Sequence, residues 1–143
     1  ISRSSRELPR SVLTPGQLKT EFETHYMEAV DLIRAAQNEM NLSLKIESYF
    51  KALHTLKLAA LSSKFDIQIA QALNQRDILL KTMPKLIIRN VQMTILALQL
   101  DDQDIKPNPI LTDKLLKQLN HAENYSSTQD QRQKIASLQS ILR

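Results

Sequence analysis

Residues 66–100, DIQIAQALNQRDILLKTMPKLIIRNVQMTILALQL, carry the reading that decides the fold. Before Pro84, the apolar residues Ile69, Leu73, Leu80 and Met83 recur at helical spacing, and no glycine interrupts them. After it, Leu86, Ile87, Ile88, Val91, Met93, Ile95, Leu96, Ala97, Leu98 and Leu100 are apolar almost all round, the pattern of an enclosed helix. A proline inside a helix removes one hydrogen bond and clashes with the carbonyl one turn back. The spacing therefore predicts two helices with Pro84 opening the second, a single kinked helix being the alternative. The segment after Pro84 is expected at the centre of the molecule.

Working outward, the same three-and-four spacing fills most of the 143 residues, and Gly16 is the one glycine. Thr14-Pro15-Gly16-Gln17 has the form of a helix start, with Thr14 as cap and Pro15 in the first turn. From it runs a stripe of Leu18, Phe22, Tyr26, Ala29, Ile33, Ala36 and Met40. Asn41 is expected to end that helix and Ser43 to cap the next, whose buried side is Ile46, Tyr49, Phe50, Leu53, Leu56, Ala60 and Leu61. Glu47 and Lys51 on its outer face have the spacing of an ion pair, as do Asp77 and Lys81. Residues 101–112, DDQDIKPNPILT, lack a helical period and read as the one substantial loop, with Thr112 or Asp113 capping the helix that carries Leu115, Leu116, Leu119 and Ala122. Thr128 and Gln131 repeat the capping-box spacing before a last helix with Ile135, Leu138, Ile141 and Leu142.

The expected fold is thus all-α, an antiparallel helical bundle or short irregular helical solenoid of about six helices, because short connections make sequential helices antiparallel neighbours. Residues 1–13, ISRSSRELPRSVL, read as a flexible basic linker and residues 14–143 as a single helical domain. Beginning at Ile1 rather than Met, the chain reads as a piece of a longer protein. No apolar run is long enough to span a bilayer. The absence of cysteine removes disulfides, thiolate nucleophiles and cysteine zinc sites, and suits a cytoplasmic or nuclear setting.

Chemistry is sparse. His25, His54 and His121 fall on three different helices, so spacing does not make them a proton-transfer group. Glu21 and His25 form at most half a metal site. Asp101, Asp102 and Asp104 lack the glycine and terminal glutamate of a calcium loop. One glycine can build neither a phosphate-cradling loop nor a nucleophile elbow. No catalytic residue, metal ligand or cofactor is assigned. The asymmetry that remains is basic: the net charge is +4, and Arg76, Lys81, Lys85 and Arg89 cluster with Asp77 the single acid between Asp77 and Leu100. If the helix runs through Pro84, Lys81, Lys85 and Arg89 form a stripe at four-residue steps that a phosphate or an acidic peptide could meet. The plain alternative is a solvated face.

The stretches EAVDLIRAAQNEMN (28–41), IESYFKALHTLKLAALS (46–62) and IQIAQALNQRDILLK (67–81) resemble the three-helix microtubule-interacting-and-trafficking domain, and also a tetratricopeptide-type helical pair. The resemblance covers about a third of the chain and rests on Ala, Leu and Tyr spacing; the glycine of the tetratricopeptide turn is absent. Either resemblance implies recognition of a peptide or partner helix between helices, without catalysis. The leading expectation is a non-catalytic protein-protein interaction module that binds a protein or peptide partner through Tyr49, Phe50, Arg76, Lys81, Lys85 and Arg89. The alternative is a nucleic-acid-associated helical domain, motivated by that basic cluster and by Arg3, Arg6 and Arg10.

Overall fold

The computed structural model describes residues 20–102 and 108–143. Five helices account for nearly all of them, and no strand occurs among the described residues. They are α1 (Thr20–Asn38), α2 (Leu42–Ser62), α3 (Asp66–Leu98), α4 (Pro109–Tyr125) and α5 (Gln129–Leu142). The Thr14 helix start, the basic linker and Gly16 lie outside the described residues, as do Leu18 and Asp104.

Five replace the six expected because the helix runs unbroken through Pro84. The ring costs the Leu80 carbonyl its partner, but Pro84 is fully buried, between Met83 and Ile87 on the core side. Burial of the surrounding apolar surface, at roughly 25 cal/mol per Å2, offsets one lost hydrogen bond.

Three helix starts also differ in detail or mechanism. Asn41, not Ser43, caps α2: its Oδ1 accepts from the Leu44 N–H at 3.1 Å, while its own N–H donates to the Glu39 carboxylate at 2.9 Å. For α4 the cap is Asn108, whose Oδ1 accepts from Ile110 and Leu111, with Pro109 in the first turn; Thr112 and Asp113 lie inside the helix. Pro109 is suited to a helix start, where its missing N–H has no partner to lose. At α5 the capping box forms with one shift: Thr128 Oγ1 accepts from the Gln131 N–H at 3.1 Å, and Gln131 Oε1 accepts from Ser127 rather than from the cap residue itself.

The C-terminus of α3 solves a problem set by the missing glycines. Gln99 takes the left-handed conformation, with φ 53°. The Leu100 N–H donates to the Ile95 carbonyl and that of Gln99 to Leu96, while Leu100 and Ile95 are both buried in the core. This is the six-to-one and five-to-two closure with its usual apolar contact, made with glutamine.

Each helix packs on its sequence neighbour, and α5 also touches α3. The 33-residue α3 is therefore the spine: α2, α4 and α5 all pack on it, while α1 packs chiefly on α2. One core runs through all five helices, from Ala29 and Ala36 through Ile46, Leu56, Met83 and Ile87 to Leu119 and Ile135. A smaller cluster of Phe22, Ala59, Ala60 and Ala72 closes the opposite end, where alanines let three helices approach closely. Outside residues 96–98, the described residues of the expected stripes are buried or half-buried except Met40, Leu61, Leu73, Met93 and Ile141, which are exposed. The central segment is not enclosed all round, since Leu96 (70% exposed) and Leu98 are also open. Among the described residues no helix is long and apolar enough to cross a membrane.

Candidate interaction surfaces

Because α2 and α4 both lie against α3 but scarcely touch each other, a trough of about 600 Å3 is left between them. Phe50 and His121 form its aromatic lining, Ile110 stands at one end, and Glu47, Lys51, Lys114 and Lys117 edge it. Position four residues apart on α4 brings Tyr125 against the same histidine. The His121 ring meets Phe50 edge-on at 4.8 Å and Tyr125 tilted at 5.0 Å. Glu47 reaches across to Lys114 at 3.7 Å, tying α2 to α4, instead of pairing with Lys51 as its spacing suggests. Asp113 pairs with Lys117 along α4 at 3.1 Å.

Burial first, and the Arg76 charge second, hold His121 below its ordinary value of 6.5. Its Nδ1 is buried without a hydrogen-bond partner, as is the Nε of Arg76. A neutral imidazole packed between two aromatic rings behaves here as an amphipathic surface group. Phe50 and Lys51 also line a neighbouring open trough with Glu28, Leu32, His54 and Thr55. There His54 and Glu28 are exposed side chains on a solvent-filled surface rather than groups enclosed in a pocket.

The six residues singled out in the sequence do not assemble into one site. Tyr49 is a core residue, and burial pushes its phenol above the ordinary 10.0. Phe50 is half-buried at the rim of the α2–α4 trough. Arg76 is half-buried beside His121. Nine residues separate it from Lys85, which at 3.6 residues per turn puts the two on opposite sides of α3. Lys81, Lys85 and Arg89 are exposed and form the four-residue stripe that an unbroken helix allows. Lys81 is paired with Asp77 at 3.0 Å, as expected. Lys85 and Arg89 line a second trough of about 450 Å3, between α3 and the start of α5.

His121, Tyr125, Ile110, Lys114 and Lys117 were not legible as surface contributors. The one signal was the four-residue interval between His121 and Tyr125, which places two rings on one helix face. Among the described residues no three of His, Cys, Asp or Glu are placed to share a metal ion. Compared with known family models, curated proteins and solved structures, the chain matches none.

Proposed function

We propose that this chain is a non-catalytic helical interaction module, and that a partner helix or peptide docks in the trough between α2 and α4. The observation that carries the reading is the convergence of Phe50, His121 and Ile110, from two helices, on an open trough with a predominantly apolar lining. Ile110 is 83% exposed, an arrangement that costs apolar hydration unless something covers it. A partner helix laid there would bury its apolar face against the rings and place its flanks beside the lysines of α2 and α4, the helix-in-groove mode of recognition.

Comparative affinity purification with the unaltered chain and a Phe50→Arg/Ile110→Glu variant tests this. Both residues are partly or largely exposed, so the variant is expected to keep its helix content by circular dichroism while losing the partner. Retention of the same partners at the same recovery would overturn the assignment. A nucleic-acid-associated role is the second reading, supported by Lys85 and Arg89, which have no carboxylate partner among the described residues; it requires binding to generic DNA or RNA that weakens steeply with salt.

A further inference from the structure

We infer that the trough between α3 and α5 is a separate docking surface for an acidic peptide segment. Its lining sets Lys85, Arg89 and Lys134 against one carboxylate, Asp130. Asp130 is already engaged with Lys134 at 3.3 Å. Lys85 and Arg89 therefore face the trough with no carboxylate partner among the described residues. Lys81, one turn before them on the same helix, is by contrast engaged with Asp77 at 3.0 Å.

The arrangement also works against the helix that carries it. Lys85 has Lys81 one turn before it and Arg89 one turn after, and like charges at four-residue spacing destabilise a helix. Nothing in the packing of α3 requires cations at 85 and 89, since both side chains are exposed. An anionic ligand would relieve that repulsion, and its carboxylates could engage both cations across roughly 6 Å of helix rise. Ile88 supplies an apolar floor, while Gln92 on the α3 wall presents an amide donor and acceptor suited to a peptide backbone, and Gln131 opposite it offers its amide N–H, its Oε1 being held by the Ser127 N–H.

A peptide fits this surface better than a nucleic acid. No aromatic side chain lines the trough, so unstacked bases would have no platform. The surface is independent of the α2–α4 trough, with which it shares no lining residue, so either can fail alone.

Titration of the isotope-labelled full chain with a glutamate-alanine repeat peptide, followed by NMR, tests the inference. Saturable shifts are expected at Lys85, Arg89, Gln92 and Gln131 and not at Phe50 or His121, with no response to a glutamine-alanine peptide. Lys85→Glu/Arg89→Glu should weaken binding at least about tenfold, and added salt should weaken it for the unaltered chain. Lys85→Gln/Arg89→Gln, which adds no new charge, should weaken it in the same direction. The inference is overturned by absent or unsaturable shifts, by shifts centred elsewhere, by indifference to both double substitutions, or by tighter binding of an oligothymidylate than of the acidic peptide.

Discussion

The bond between Asn90 and Gln118 gives the sharpest test of how α3 holds α4. Asn90 Nδ2 donates to Gln118 Oε1 at 3.2 Å, and the residues are 7% and 5% exposed. Neither amide has ready access to bulk water, so removing one strands the other. Asn90→Leu keeps the branched shape and the number of heavy atoms but leaves the Gln118 carbonyl oxygen without its donor, a loss of about 1–3 kcal/mol. Gln118→Met strands the Asn90 amide and should cost a similar amount. The double variant removes both desolvated groups and leaves an apolar contact between helices that already share Leu119, Ile87 and Val91 in one core. It should therefore lie close to the unaltered protein, giving a coupling of about 2 kcal/mol or more in the double-mutant cycle. Urea unfolding with a constant slope is the assay, since a changed slope would signal loss of two-state behaviour. The Gln139–Asn120 bond between α5 and α4 is an internal comparison: Asn120 is exposed, water can replace its partner, and Asn120→Ala should cost less. Additivity of the two single losses within about 0.5 kcal/mol in the double variant would refute the reasoning.

Three further outcomes follow from local geometry. His121 sits below 6.5 when folded, so folding disfavours its proton: its contribution to stability is complete above pH 6.5 and is lost as pH falls through the folded value. Urea midpoints measured across that window should decline on acidification, and His121→Gln should flatten the decline; an unchanged slope in that variant would place the effect elsewhere. Gln99→Gly should stabilise the protein by about 1 kcal/mol, because glycine takes the left-handed closure of α3 without the side-chain clash. Loss of stability there, read as a lower melting temperature, would mean that the glutamine side chain matters more than its backbone. Pro84→Ala restores the hydrogen bond to Leu80, worth about 3 kcal/mol with the relieved clash, against about 0.8 kcal/mol for each of two buried methylenes removed. A net gain of about 1 kcal/mol is expected in chemical denaturation, and a net loss would assign the site to ring packing.

The character of the chain as a set of amphipathic helices follows from its sequence, because apolar spacing of three and four with no internal glycine leaves no competing local structure. Ile46, Leu53, Leu56, Leu115, Leu119, Ile135 and Leu138 are buried as their spacing requires, and Thr128 caps the helix that its neighbour Gln131 suggests. Local rules were insufficient wherever two of them competed. Pro84 breaks an isolated helix but not one whose flanking residues, Met83 and Ile87, are held on both sides of the core. Asn41 and Ser43 are both good caps, as are Asn108 and Thr112, and the choice fell to the residue whose Oδ1 lies within reach of the first free N–H groups. Which outer faces stay open was decided only by the path of α3. By making it a single spine, the fold holds α2 and α4 apart to leave the Phe50–His121 trough, and turns Arg76 away from Lys85 and Arg89. Helical periodicity fixes the angle of each side chain about its own axis, whereas the neighbour that meets it depends on how distant segments pack.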